Sequence, residues 1–255
     1  MSGFIRFGDN TEIRRDRATS IDCEQVKAKS AHINTDARPY LPVRSDASLA
    51  QHRRAAERCR GCDLYKNATQ VVFGEGKAIA KILFIGEQPG DREDLEGRPF
   101  IGPAGKLLDR ALAEVRIDRS ETYVTNAVKH FKWEPAPRGK RRLHKKPNAR
   151  EIRACRPWLE REISLIKPHV IVCLGATAGQ SLFGGQFRLG TARGKALRDS
   201  PWAPWVVCTV HPSSILRAPD HEGRENEYKA FLVDLQLATR AMRSSLRARA
   251  KTSSM

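Results

Sequence analysis

The amino-acid sequence predicts an α/β protein in which a parallel sheet is flanked by helices. Two observations indicate this fold class. Apolar runs at residues 81–85, 169–174 and 205–210 are continuous rather than alternating, as is typical of strands covered on both faces of a parallel sheet. Segments with apolar residues at helical spacing separate these runs, and such strand–helix alternation produces parallel sheets through right-handed crossovers.

The first half of the predicted domain begins with a helix near Ser48. A buried strand follows at residues 81–85, and a segment rich in Gly and Pro, residues 86–103, lies directly after it. Apolar residues at helical spacing then predict a helix around residues 107–115. A short strand is predicted at residues 122–125, so two strands end close to polar turns in this half.

The second half begins with a helix predicted over residues 149–166, which ends before Pro168. A buried strand and a short helix at residues 176–182 come next. After the strand at residues 205–210, apolar spacing predicts a last helix over roughly residues 225–242.

These elements divide the chain into three predicted regions. Residues 1–39 are polar and lack apolar periodicity, so we expect a flexible N-terminal extension. Residues 40–244 form the predicted α/β domain, and residues 245–255 form a basic tail. The sequence has no signature of oligomerisation, so we expect a monomer.

The composition indicates a globular protein with a polyanionic partner. The chain has 255 residues, of which 40% are hydrophobic and 29% are charged, and its formal net charge is +17. A charge of this sign and size favours nucleic acid. We find no apolar run of membrane-spanning length and no signal-peptide core at residues 1–10, so we expect no membrane contact and a cytoplasmic location.

Polar residues follow three of the predicted strands. The turn at residues 86–91, Asn126 and His211 each lie directly after a strand, and ligands of open α/β sheets bind beyond the carboxyl ends of the strands. Each residue alone suits ordinary loop chemistry. Together with the Gly-rich turn and the positive charge, they predict a site for a component of nucleic acid. Phosphate-loop and dinucleotide-binding motifs are absent from the sequence, which disfavours nucleotide-driven enzymes.

A second candidate site is a cysteine motif, CRGC at residues 59–62. Cys155 and His130 lie where the chain could return to it, and three Cys with one His suit zinc or an iron–sulfur cluster. The spacing of these residues in the sequence does not distinguish zinc from an iron–sulfur cluster. Cys173 and Cys208 lie inside apolar strands and are interpreted as core residues.

The segment RGKRRLHKKP at residues 138–147 contains six Lys or Arg residues in ten positions. Runs of this kind usually contact phosphates. His144 is the one side chain in the run that can be neutral near pH 7 and offer a nucleophilic lone pair.

Several long motifs occur together with the CRGC sequence: GEQPGD at 86–91, GRPFIGPAG at 97–105, TNAVKH at 125–130 and HPSSILR at 211–217. On these motifs the chain resembles the uracil-DNA glycosylase superfamily, in particular its iron–sulfur branch (family 4) and, within it, UdgX-type proteins. The resemblance covers about residues 39–240. It implies a three-layer α/β/α fold with a short central parallel sheet.

The resemblance also implies excision of uracil from DNA, which requires the nucleotide to leave the base stack. It assigns stacking on the uracil to Phe100, reading of the base edge to Asn126, and a hydrogen bond to the departing base to His211. Backbone amides at Gln88 add to that stabilisation. The residues implied to contact DNA are Lys140, Arg141, Arg142, Ser213, Leu216 and Arg217.

The implied cofactor is a structural 4Fe-4S cluster, and its implied ligands are Cys59, Cys62, His130 and Cys155. Most family 4 enzymes have Cys where this chain has His130. In UdgX-type proteins, a His in a Lys-Arg-Arg-aliphatic-His segment becomes covalently joined to the sugar after uracil leaves. Here that residue is His144, and we expect Glu87 to orient it and accept its proton.

Three hypotheses therefore remain open from the sequence. The first is a uracil-DNA glycosylase that ends covalently bound to its abasic product after at most one turnover. The second is a conventional glycosylase in which His144 only contacts phosphate, and the third is a non-catalytic DNA-binding module held together by a metal. The expected partners are uracil and uracil-containing DNA, in single-stranded form first and in double-stranded form as the alternative.

Overall fold

A computed structural model describes residues 35–44 and 46–252, and its centre is a six-stranded sheet. The strands of this sheet are β1 (Glu75–Gly76), β2 (Ile82–Gly86), β3 (Thr122–Asn126), β6 (Val170–Leu174), β7 (Ala196–Arg198) and β8 (Trp205–Thr209). Their order is β1-β3-β2-β6-β8-β7. The four central strands are parallel, whereas β1 and β7 pair antiparallel at the edges. The predicted fold class is confirmed.

Two strands, β4 (Trp133–Pro135) and β5 (Arg142–His144), form a separate antiparallel hairpin. We call the segment from residue 133 to residue 144 the basic hairpin. The sequence predicted an irregular loop here, and the structure instead pairs Trp133 with His144 and Pro135 with Arg142.

Eight helices occur in the described part of the chain: α1 (Leu49–Ala56), α2 (Asp91–Glu96), α3 (Pro103–Glu114), α4 (Ala149–Ile166), α5 (Ala176–Phe183), α6 (Leu189–Ala192), α7 (Pro212–Leu216) and α8 (His221–Thr252). Short 3-10 turns lie at Arg38–Tyr40, Asp63–Lys66 and Arg119–Glu121.

Helices cover both faces of the sheet because alternate strand residues point to opposite sides. On one face, Phe84 packs with Leu112 of α3 and Phe231 of α8. On the other face, Ile85 packs with Leu159 of α4 and the neighbouring residues of α5. The result is the three-layer α/β/α arrangement, and the register Gly86–Asn126 brings the carboxyl ends of β2 and β3 to one edge.

The ends of the chain differ from the prediction. Helix α8 continues to Thr252, so most of the predicted tail (residues 245–255) is helical. Ser245 is buried and hydrogen-bonds His169, which explains why the helix extends past the predicted end. Of the predicted extension, residues 1–34 lie outside the described part, while Ala37 is buried and its N–H donates to the Ala154 carbonyl at 2.9 Å.

The length and apolar character of the helices determine whether any of them could span a membrane. Among the helices of the described residues, none is both long and apolar enough to cross a bilayer.

Candidate active site

Arg142 ties the basic hairpin to helix α2. Its Nε lies 2.5 Å from Asp91 Oδ1 and its Nη1 lies 2.6 Å from Asp94 Oδ2, and its side chain is only 15% exposed. The guanidinium also lies 5.4 Å from the Phe131 ring centre and 5.5 Å from that of Trp133. Two carboxylates suit the fork of a guanidinium. The charge expected to contact phosphate is therefore held within the protein, where it anchors the hairpin.

Gln88 determines which nitrogen of His144 carries the proton. The backbone N–H of Lys132 donates to Gln88 Oε1 at 3.0 Å, which fixes the orientation of the amide. The amide nitrogen lies within hydrogen-bond distance of the Lys132 carbonyl (3.2 Å), the Lys145 carbonyl (3.0 Å) and His144 Nε2 (2.9 Å), so its two hydrogens are shared among these three acceptors. Because an amide nitrogen can only donate, His144 Nε2 carries the lone pair and Nδ1 carries the proton.

Glu87 lies beside the same nitrogen. Its Oε1 is 3.6 Å from His144 Nε2, and its Oε2 accepts a hydrogen bond from the hydroxyl of Thr177. Thr177 is a buried residue in the first turn of α5. The hydroxyl holds one carboxylate oxygen, so the other is left facing the imidazole.

His144 is neutral near pH 7. Burial lowers its pKa below the ordinary value of 6.5; the carboxylate of Glu87 opposes this shift and the charge of Arg217 adds to it. The side chain is nevertheless 50% exposed. A neutral, half-exposed imidazole with its lone pair on Nε2 suits a nucleophile.

Gly86 allows the Asn126 side chain and the Phe100 ring to lie close together. A Cβ at this position would lie 2.3 Å from Asn126 Oδ1 and 2.6 Å from Phe100 Cζ, so only glycine allows this close packing. Phe100 is buried and has φ 58°, a strained value for a residue with a side chain. Its ring lies 6.0 Å from the His211 ring at an interplanar angle of 30°.

His211 presents a proton on its outer nitrogen. It caps the N-terminus of α7, where its Nδ1 accepts the Ser213 backbone N–H at 3.2 Å and lies 2.8 Å from Ser213 Oγ. Because a backbone N–H only donates, Nδ1 has the lone pair and Nε2 has the proton. Burial lowers the pKa of His211 to about 4, with the charges of Arg217 and His144 adding to the shift. His211 is thus a neutral donor at pH 7.

The structure brings the predicted catalytic and base-contacting residues to one edge of the sheet. The remaining predicted DNA contacts differ in their surroundings. Lys140 and Arg141 are exposed at the tip of the basic hairpin, and Leu216 is 37% exposed at the end of α7. Arg217 is also exposed and its charge acts on both histidines of the site. Ser213, in contrast, hydrogen-bonds His211.

Sequence reasoning missed three residues of the site. Asp91 and Asp94 hold Arg142, and Thr177 holds Glu87. The two aspartates lie in the first turn of α2, where acidic residues are common because they favour the helix dipole. No local pattern in the sequence links them to Arg142.

The four predicted metal ligands line one cavity: Cys59, Cys62, His130 and Cys155. All four are buried. Trp158 Nε1 donates to Cys59 Sγ and the backbone N–H of Lys129 donates to Cys155 Sγ, each at 3.3 Å. The cavity therefore has sulfur and nitrogen donors, and two of the sulfurs accept hydrogen bonds from the protein.

Burial also shifts the protonation of these donors. It raises the pKa of the Cys62 thiol to about 11 and raises that of Cys155, and it lowers the pKa of His130 to about 4, with help from Arg60. His130 is thus a neutral imidazole able to act as a ligand. Within the described ranges, no three His, Cys, Asp or Glu side chains form a group suited to a single metal ion.

A family model and several known proteins match most of this domain. The family model described as the uracil DNA glycosylase superfamily matches residues 73–236. Type-4 uracil-DNA glycosylases of Archaeoglobus fulgidus and Thermotoga maritima are each 38% identical to this chain, over 178 and 180 residues. These alignments cover 67% and 70% of this chain and 85% of each relative. The Saccharolobus solfataricus type-4 enzyme is 37% identical over 64% of this chain and 74% of its own length.

Proposed function

This chain belongs to the uracil DNA glycosylase superfamily, and from that premise we propose that it excises uracil from DNA and then joins His144 covalently to the abasic sugar. The observation that carries the proposal is the position of His144 Nε2, 2.9 Å from the Gln88 amide nitrogen and 3.6 Å from the Glu87 carboxylate. A neutral imidazole lone pair held at this edge of the sheet suits a nucleophile. The resemblance of the hairpin motif to that of UdgX-type proteins supports the same assignment.

Base recognition comes first in the proposed reaction. The uracil nucleotide leaves the base stack, and its ring lies against Phe100. The Asn126 amide both donates and accepts, so it can pair with the edge that distinguishes uracil from cytosine. Asn126 is 2% exposed and its Oδ1 packs on Gly86, which supports a fixed orientation of the amide.

Cleavage moves the electron pair of the C1′–N1 bond onto uracil and leaves positive charge on the sugar. His211 Nε2–H donates to the carbonyl oxygen next to N1, where the negative charge collects. A neutral His211 keeps its remaining proton while it stabilises that charge. A donor of this kind typically contributes about 10²- to 10³-fold to the rate.

Capture by His144 follows. The hydrogen bond from the Gln88 amide to Nε2 breaks, the lone pair of Nε2 forms a bond to C1′, and the imidazole becomes a cation. The proton on Nδ1 then leaves to solvent. A positioned nucleophile competes with water because it attacks without a translational entropy cost.

Glu87 has a different part in this geometry from the one expected from the sequence. Its carboxylate lies beside Nε2, whereas the departing proton is on Nδ1. We therefore assign Glu87 the stabilisation of positive charge on the sugar and on the imidazole, rather than acceptance of the proton. The Thr177 hydrogen bond supports this role because it keeps the carboxylate turned towards the ring.

We further propose that Cys59, Cys62, His130 and Cys155 hold a 4Fe-4S cluster. Three thiols and one neutral imidazole around a common cavity fit such a cluster, and N–H donation to two of the sulfurs suits ligating thiolates. A bound cluster would supply a structural cross-link between the 59–62 loop and α4. Iron and sulfide analysis tests this assignment, and stoichiometric zinc would contradict it.

DNA contacts are proposed for the exposed cations and the exposed apolar residue of the site. Lys140 and Arg141 are placed to contact phosphates, while Leu216 fills the vacated stack and Arg217 contacts the backbone beside it. Arg142 is assigned the anchoring of the basic hairpin, since its guanidinium is occupied by two carboxylates.

Incubation with single-stranded DNA that contains one uracil tests the proposal. A shifted band on a denaturing gel that survives heating is the expected result. His144→Ser should remove that band while uracil is still released, whereas His221→Ser, at the exposed start of α8, should retain it. Free uracil without a band from the unaltered protein would identify a conventional glycosylase. Neither uracil nor a band would identify a non-catalytic DNA-binding protein.

A further inference from the structure

A second cationic surface continues from the basic hairpin towards the cysteine motif. Four exposed residues define this cluster-side surface: Arg60, Lys146, Arg150 and Arg153. The reaction proposed above uses none of them. Their position and their lack of acidic partners indicate what they bind.

The cluster-side surface is joined to the strand that carries His144. The backbone N–H of Lys145 donates to the Lys132 carbonyl at 2.9 Å, and Lys132 Nζ lies 3.0 Å from Glu151 Oε2 in the first turn of α4. Lys146 lies between these two connections. A bound polymer strand that leaves His144 in this direction therefore meets Lys146 first and then α4.

The far end of the surface lies over the predicted metal ligands. Arg153 precedes Ala154, which lines the cavity of the four ligands. Arg60 Nη1 donates to the Cys59 carbonyl at 3.0 Å. The surface thus extends from the hairpin to the outside of the 59–62 loop.

The charges of this surface are not neutralised by the protein. No carboxylate of the described residues forms an ion pair with Arg150 or Arg153, although exposed arginines of other helices are paired, as in Arg110–Glu114 at 2.9 Å. The first backbone N–H groups of α4 are also occupied, because Asn148 accepts from them. Attraction of an anion here comes from the side chains rather than from the helix end.

We propose that the phosphates of the DNA strand on one side of the uracil nucleotide run along the cluster-side surface. This inference rests on the proposed function, since His144 must hold the sugar at C1′. The phosphate attached to that sugar then lies at the base of the hairpin, and the next phosphates meet Lys146, Arg150 and Arg153. Contacts of this kind bind any sequence and release counterions, so they make binding depend on salt.

The test compares two double variants with the same change in charge. Arg150→Ala/Arg153→Ala removes two cations of the surface, and Arg243→Ala/Arg247→Ala removes two exposed cations of α8. Helix α8 carries this control pair beside Ser245, which bonds His169 at the start of β6 and hence at the opposite edge of the sheet. All four positions are helical, where alanine is well tolerated.

Binding is measured by fluorescence anisotropy with single-stranded DNA that contains 2′-fluoro-deoxyuridine, which resists cleavage, and flanks extended on one side or on the other. The unaltered protein should gain about tenfold in affinity from one of the two flanks. Arg150→Ala/Arg153→Ala should lose that gain, and the slope of log K against log salt should fall by about 1.4, at about 0.7 per phosphate contact. The control variant should keep both the affinity gain from the flank and the salt slope of the unaltered protein.

The inference is overturned if the two double variants have the same flank-dependent affinity and the same salt slope. It is also overturned if Arg150→Ala/Arg153→Ala still gains affinity from the flank. Failure of the proposed function has a separate signature. In that case the unaltered protein releases no uracil from ordinary uracil-containing DNA of either length.

Discussion

Replacing Arg142 by methionine should release the basic hairpin from the domain while leaving His144 in the chain. Arg142 joins the hairpin to Asp91 and Asp94, with atoms 2.5 and 2.6 Å apart. Methionine retains part of the apolar contact with Phe131 and Trp133 but cannot pair with a carboxylate. The change therefore tests whether these ion pairs hold the proposed nucleophile in place.

The free energy lost in Arg142→Met can be estimated from the burial of Asp94. Its carboxylate is 0% exposed, and removing one partner of a buried ion pair typically costs about 3–5 kcal/mol. The lower figure applies, because Thr69 still donates to Asp94 through its backbone N–H at 3.0 Å and through its hydroxyl at 2.6 Å. An isolated two-stranded hairpin is marginally stable, so the loss appears as local opening of the hairpin. About 3 kcal/mol corresponds to a roughly hundredfold smaller equilibrium constant for closing of the hairpin.

Single-turnover reactions on uracil-containing single-stranded DNA measure the consequence. The rate of adduct formation, read from a denaturing gel, should fall about a hundredfold in Arg142→Met. Release of uracil should fall far less, since Asn126 and His211 are attached to the sheet. Arg243→Met is the matched control, because Arg243 is exposed on α8 and has no ion pair within the described structure. Equal adduct rates in the two variants would refute the anchoring role of Arg142.

Two further predictions concern the sheet edge and the pH dependence. Gly86→Ala should reduce uracil release by at least about a hundredfold, because its Cβ would lie 2.3 Å from Asn126 Oδ1 and 2.6 Å from the Phe100 ring; Gly190→Ala, with no atom within 4 Å of the new Cβ, should retain full activity. Equal rates of uracil release by the two variants would contradict the predicted effect of the close packing at Gly86. Adduct formation should rise about tenfold per pH unit in acid and level off above the pKa of His144, which burial holds below 6.5. A midpoint at or above 6.5 would contradict the lowering of the pKa of His144 by burial.

The central strands could be predicted because their burial leaves a local pattern. All five residues of β6 are completely or almost completely buried, and the sequence at this point is a continuous apolar run. The edge strands β1 (Glu75–Gly76) and β7 (Ala196–Arg198) were missed, because strands of two or three residues with exposed positions lack such a run. Membership of the predicted superfamily is confirmed by the comparisons.

The basic hairpin could not be predicted as a hairpin, because its stability depends on partners distant in the sequence. Arg142 pairs with Asp91, which lies 51 positions earlier, and Gln88 contacts His144 across 56 positions. Local propensity in a segment rich in Lys, Arg and Pro indicates a loop. The candidate residues His144, Glu87 and Gln88 were identified from motifs, but the tautomer of His144 follows only from the orientation of the Gln88 amide in the fold.

The proposed cleavage and capture steps use groups that are attached to the protein in different ways. Asn126 and His211 follow strands of the central sheet, so their positions depend on the core. His144 lies on a two-stranded hairpin whose connection to the domain depends on Arg142 and Gln88. Opening of the hairpin removes the nucleophile and leaves the base-reading and donor groups in place. A glycosylase that traps its product can therefore return to ordinary turnover through changes in the hairpin alone, whereas changes at the sheet edge reduce both steps together.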